Sequence, residues 1–85
     1  MTVKTFTPDE ATRFVYAMSI EEFTNEGVLG NPDYAIEFVK WDADYEAGLF
    51  MRTPHQEVRE HCINTIEACN VIIKYLETLK GGTEV

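Results

Sequence analysis

Apolar residues recur every three or four positions along most of this chain, which is the period of an α-helix. The longest run is near the C-terminus, where Val58, Cys62, Ile66, Cys69, Ile73 and Leu76 form one stripe. Ile72 and Leu79 broaden it, and Thr53-Pro54-His55-Gln56 reads as a capping box at its start. Lys74 and Lys80 lie toward the end, where cations suit the helix dipole. A second stripe holds Tyr34, Phe38, Trp41 and Tyr45 at spacings of four, three and four, with Leu49 four further on. At 100° per residue these side chains fall within about 80° of a helical wheel. Ala35 and Val39 widen that face, and Glu37, Lys40 and Asp44 lie opposite. The stripe predicts a helix from Pro32 to Gly48 whose aromatic rings form core, because aromatics bury large areas. A hairpin competes, since AIEFVKW is rich in β-branched and aromatic residues. The length of the stripe and the lack of an Asn-Gly turn favour the helix. Leu49-Phe50-Met51-Arg52 then reads as an extended segment able to pair with the N-terminal arm.

The third stripe is shorter. Ala11, Phe14, Val15 and Met18 share one face, whereas Ile20 and Phe23 point elsewhere. Ser19-Ile20-Glu21-Glu22 is a capping box in its own right, so this helix kinks or restarts near Ser19. Punctuation supports the same division. Pro8, Pro32 and Pro54 each follow a helix-capping residue, Thr7, Asn31 and Thr53, and the segments close on Gly27, Gly48 and Gly81. Thr7-Pro8-Asp9-Glu10 adds a further capping box, with Phe6 and Ala11 placed as a hydrophobic staple. The fold predicted is all-α: a three-helix bundle with a long C-terminal helix. Residues 1–80 form a single helical domain and 81–85 a flexible tail. Residues 1–6 form a short extended arm with Val3 or Phe6 packing down, and Gly27-Val28-Leu29-Gly30 is a connecting turn. A helix over 54–80 would be about 40 Å long, against about 30 Å for the diameter of a compact domain of this size. The bundle is therefore elongated, or a second copy covers the excess.

With 85 residues, 45% apolar and 26% charged, the composition is that of one ordinary domain. No apolar run approaches the roughly 20 residues of a membrane span. The N-terminal MTVKTFTPDE lacks a signal peptide's apolar centre, and a soluble cytoplasmic protein is expected. The net charge of −8 is unevenly spread. Residues 9–46 hold ten acids against Arg13 and Lys40, whereas 53–80 hold four acids and three bases. Such a surface repels nucleic-acid phosphates and anionic membranes and attracts basic partners. Solubility alone is the plainer account of the charge.

Little in the sequence points to chemistry. Cys62 and Cys69, seven apart on a helix, would have Cα atoms about 10.5 Å apart, too far for a disulfide or for one shared zinc. They read as small core residues. Asp42-Ala43-Asp44-Tyr45-Glu46 alternates oxygens like a calcium loop, but Gly48 falls one place late and Thr53 stands where the bidentate Glu belongs. His61 and Cys62 are adjacent, so on a helix they diverge by about 100° and do not pair. Ser19, the only serine, is explained by capping, and the Gly27–Gly30 turn lacks a phosphate loop's lysine. No catalytic residue, cofactor or metal is predicted.

Ile63, Val71 and Tyr75 stand out instead, on the otherwise polar side of the last helix among Glu60, Asn64, Glu67, Lys74 and Thr78. The expected function is a small acidic, non-enzymatic protein-interaction module, of the regulatory or inhibitory type that phages and mobile elements encode. It would bind a partner protein or another copy of itself through Ile63, Glu67, Val71 and Tyr75, with Glu37 and Asp44 contributing from the acidic faces. One alternative is a nucleic-acid mimic, with Glu21, Glu22, Glu26, Asp33, Glu37, Asp42, Asp44 and Glu46 imitating phosphates. Another is an oligomeric binder of nucleotide-like ligands, its sites between subunits near Tyr75.

Overall fold

A computed structural model describes residues 4–27 and 31–81. It contains α1 (Pro8–Tyr16), α2 (Ile20–Glu22) running into a π-helical turn (Phe23–Gly27), α3 (Pro32–Arg52) and α4 (Gln56–Gly81). Among the described residues there is no strand, so the chain is an all-α bundle. Val3, residues 28–30 of the connecting turn and residues 82–85 of the tail lie outside the described residues.

Two of the predicted capping boxes form in full. Thr7 Oγ1 accepts from the Glu10 N–H at 3.2 Å while Glu10 Oε1 accepts from the Thr7 N–H at 2.9 Å. Ser19 Oγ accepts from the Glu22 N–H at 3.1 Å, and Glu22 Oε1 accepts in return from the Ser19 N–H at 3.0 Å. The second box makes the expected kink a complete break. α1 ends on Ala17, whose φ of 60° is left-handed, and the chain restarts at Ile20. Asp9 pins this corner: Oδ2 accepts from Arg13 Nε at 2.7 Å and Oδ1 from the Ile20 N–H at 3.0 Å.

The boundaries of α3 and α4 differ from those predicted. Asn31 caps α3 as expected, its Oδ1 accepting from the N–H groups of Asp33 and Tyr34 at 2.9 and 3.2 Å. The helix then passes through Gly48, so Leu49–Arg52 is helical rather than extended, and the hairpin reading falls with it. A glycine inside a helix costs only about 1 kcal/mol relative to alanine, so it weakens a helix without ending it. The stop comes from Pro54, which drives the preceding residue out of the α region. Thr53 accordingly lies at φ −90° and ψ 137°. The same geometry delays α4. Thr53 Oγ1 accepts from the His55 N–H at 3.2 Å, not from Gln56, and the first helical bond joins the Arg59 N–H to the His55 carbonyl at 3.0 Å. Arg59 closes the junction: Nη1 donates to the Phe50 carbonyl at 3.0 Å while the guanidinium sits 4.0 Å over the Phe50 ring. One carbonyl of the last turn of α3, which has no partner within the helix, is satisfied in this way.

The core lies mainly between α3 and α4, with α1 laid across α4. Ala35, Ile36 and Val39 of α3 and Ala68, Cys69, Ile72 and Leu76 of α4 are buried there with Ala11 and Phe23. Phe6 packs against this cluster and against the Phe14 ring at 5.1 Å, while the Lys4 N–H donates to Asn64 Oδ1 at 2.8 Å, so the arm docks through Phe6. The molecule measures 43 × 23 × 20 Å. Its elongation resolves the length of α4: because α3 continues to Arg52, it runs beside most of the longer helix.

Candidate protein-binding surface

The aromatic stripe of α3 is outside the core. Tyr34 is 52% exposed, Phe38 39%, Trp41 76% and Tyr45 63%, which overturns the expectation that these rings fill the interior. The reason lies in a second apolar face on the same helix, to which Ala35 and Val39 belong rather than widening the aromatic stripe. Ala35, Ile36, Val39 and Ala43 point toward α4 and meet Ala68, Cys69 and Ile72, small or compact side chains that let the two helices lie close. The aromatic stripe is then turned well away from α4. The first segment covers only one edge of it, where the Tyr16 ring contacts Phe38 at 5.8 Å and stacks on Phe23 at 5.1 Å.

Tyr34, Phe38 and Trp41 line an open groove of about 530 Å³ whose remaining walls are Glu37, Lys40 and Asp44. All six are exposed. On its other flank the ridge is held firmly. The Tyr16 hydroxyl donates to Asp42 Oδ2 at 2.5 Å. Burial, and then the Asp42 carboxylate, push the Tyr16 hydroxyl pKa far above its ordinary value, so it stays protonated and keeps donating.

Beyond Tyr45 a smaller cavity of about 260 Å³ separates Asp42 and Glu46 from His61 and Thr65. His61 is exposed, packs its ring on Phe14 at 5.6 Å and lies 3.4 Å from Thr65 Oγ1 through Nε2. Cys62 is buried beside Glu46; burial, then that carboxylate, raise its thiol pKa. Cys69 is also buried, and desolvation pushes its thiol up to about 12. Both cysteines are free thiols in the interior, as their spacing predicts, and His61 and Cys62 diverge. Asp42–Glu46 is a stretch of helix rather than a loop.

The residues singled out for partner binding fall on two surfaces. Glu37 and Asp44, with Lys40, do not lie opposite the aromatic stripe as expected but border its groove. Ile63, Glu67, Val71 and Tyr75 are half-buried on α4, and Val71 packs against the core. Glu67 and Val71 join Asn70, Ile73 and Lys74 around a separate groove of about 410 Å³. Of the acids considered for phosphate mimicry, Glu22 caps α2, Asp42 holds Tyr16, and Glu46 turns Oε1 inward, where it has no hydrogen-bond partner among the described residues. Glu21, Asp33, Glu37 and Asp44 are exposed; the Glu26 side chain lies outside the described residues. The sequence carries the signal for the ridge in the 4-3-4 spacing of its aromatics, and the second apolar set on the same helix is what leaves that ridge free to look outward.

Comparison with protein-family models, with curated proteins and with solved structures finds no match to this chain. Among the described residues no helix is long and apolar enough to cross a membrane.

Proposed function

We propose that this protein is a non-enzymatic interaction module that docks another protein on the aromatic ridge of α3. One observation carries the reading: Tyr34, Phe38, Trp41 and Tyr45 stand uncovered in a row on a single helix. Isolated exposed apolar residues are ordinary, but a contiguous row of them marks a contact surface. Tyr and Trp are also the side chains that most often anchor interfaces. A chain of this size that acts by occupying its partner is of the regulatory or inhibitory kind. The free thiols of Cys62 and Cys69 suit a reducing compartment and support a cytoplasmic setting.

The test compares the full chain with two variants as bait for partners from the native cell. The double variant Trp41→Ser/Tyr45→Ser loses the captured partner, while Tyr75→Ala keeps it, and both retain wild-type helicity by circular dichroism. The opposite pattern moves the binding surface to α4 and overturns the reading.

A further inference from the structure

Resting on that reading, we infer that the occupant of the ridge is a basic amphipathic helix from a different protein, and not a second copy of this chain. The spacing argues for a helix. Positions 34, 38, 41 and 45 alternate steps of four and three, which is the seam of a pair of helices packed side by side. The sign of the flanks argues for a basic one. Glu37 and Asp44 are seven apart, one heptad, so both stand beside the seam on the same edge, and both are exposed. Asp42 stands on the other edge, half-buried and accepting from the Tyr16 hydroxyl. Lys40 also borders the groove, but at 100° per residue it lies about 40° further round the helix than Asp44, away from the seam.

A second copy meets like charge whichever way it docks. In an antiparallel pair the Glu37 and Asp44 edge of one chain faces the same edge of the other. In a parallel pair that edge faces the edge carrying Asp42. Each chain adds a net charge of −8 to the repulsion. A partner helix with Lys or Arg beside its own apolar seam meets opposite charge along the exposed Glu37–Asp44 edge, which favours encounter and fixes register.

The experiment displays a library of helical peptides with leucine at the seam and the flanking positions randomised. Binders are selected on the full chain and counter-selected on Trp41→Ser/Tyr45→Ser. The expected result is enrichment of Lys and Arg at the flanks. A synthetic peptide of the enriched sequence shifts the emission of Trp41, the only tryptophan, to shorter wavelength. Its affinity falls about tenfold toward Glu37→Gln/Asp44→Asn, and that gap narrows as salt is raised. Enrichment of neutral or acidic flanks overturns the charge inference while leaving ridge docking intact. Failure to enrich any ridge-dependent peptide overturns both. A dimer of the protein alone that already has blue-shifted Trp41 emission, lost in Tyr34→Ser/Tyr45→Ser, makes the occupant a second copy and overturns the inference.

Discussion

Cys69 has no exposed surface, and its thiol titrates near 12 in the fold against an ordinary value of 9.0. The neutral thiol is the form the interior accepts, so the two states bind protons equally below the unfolded value. Above it the unfolded chain loses the proton and the folded chain keeps it. Stability is therefore fully present below pH 9 and falls as pH rises from there toward 12. The slope approaches about 1.4 kcal/mol per pH unit for this one group. Cys62 and Tyr16 are displaced in the same direction and steepen the loss. Urea midpoints measured from pH 8 upward check it, and Cys69→Ala flattens part of the decline. Rapid labelling of both thiols in the folded protein at pH 8 would contradict the burial argument. At this scale the sequence is a good guide where a side chain acts on its own backbone neighbours, as Thr7, Ser19 and Asn31 do. It misleads at Thr53, whose conformation is set by Pro54, and it is silent on Ala17, whose left-handed φ follows from where α2 must start.

Helix ends depend on more than one residue, and Gly48 shows the consequence. Glycine favours the position after a helix because it accepts a left-handed conformation, but it stops nothing unless the chain turns there. In α3 the apolar pattern continues beyond Gly48 through half-buried Leu49 and Phe50, and the helix follows the pattern until Pro54 forbids it. Gly48 is left inside a helix, where its conformational freedom is a cost. A Cβ at this position would meet only Arg52 Nη1, at 3.2 Å, the far end of a flexible and exposed side chain. Gly48→Ala is expected to stabilise the protein by about 0.5–1 kcal/mol, measured by urea or thermal unfolding. A loss of stability would mean that Arg52 is held in place by something besides solvent. The capping and dipole rules located α3 and α4 to within a few residues at their starts. They missed the end of α3 because that boundary is decided by the residue before a proline rather than by the glycine.

On the scale of the whole molecule, the decisive fact is that α3 has two apolar faces and only one long neighbour. Periodicity picks out the aromatic face, Tyr34-Phe38-Trp41-Tyr45, and merges Ala35 and Val39 into it, whereas in the fold these two join Ile36 and Ala43 on a separate face. Side-chain size suggests that the aromatics go inside. Packing reverses this, because α3 and α4 approach through small residues on both sides, while α1 and α2 are too short to roof the ridge. The two faces therefore respond differently to truncation. Ile36, 5% exposed, sits in the interface with the core, and Ile36→Ala is expected to cost about 2–4 kcal/mol in unfolding free energy. Trp41, 76% exposed, is the larger side chain, yet Trp41→Ser is expected to change stability by less than about 0.5 kcal/mol. Chemical denaturation followed by circular dichroism reads both without relying on the tryptophan. If Trp41→Ser proved as costly as Ile36→Ala, the ridge would have to be covered in solution by another part of the molecule, and it would not be open to a partner. If the costs separate as expected, the chain keeps its largest side chain on the surface at almost no benefit to its own folding, and a contact with another protein gives that residue a role.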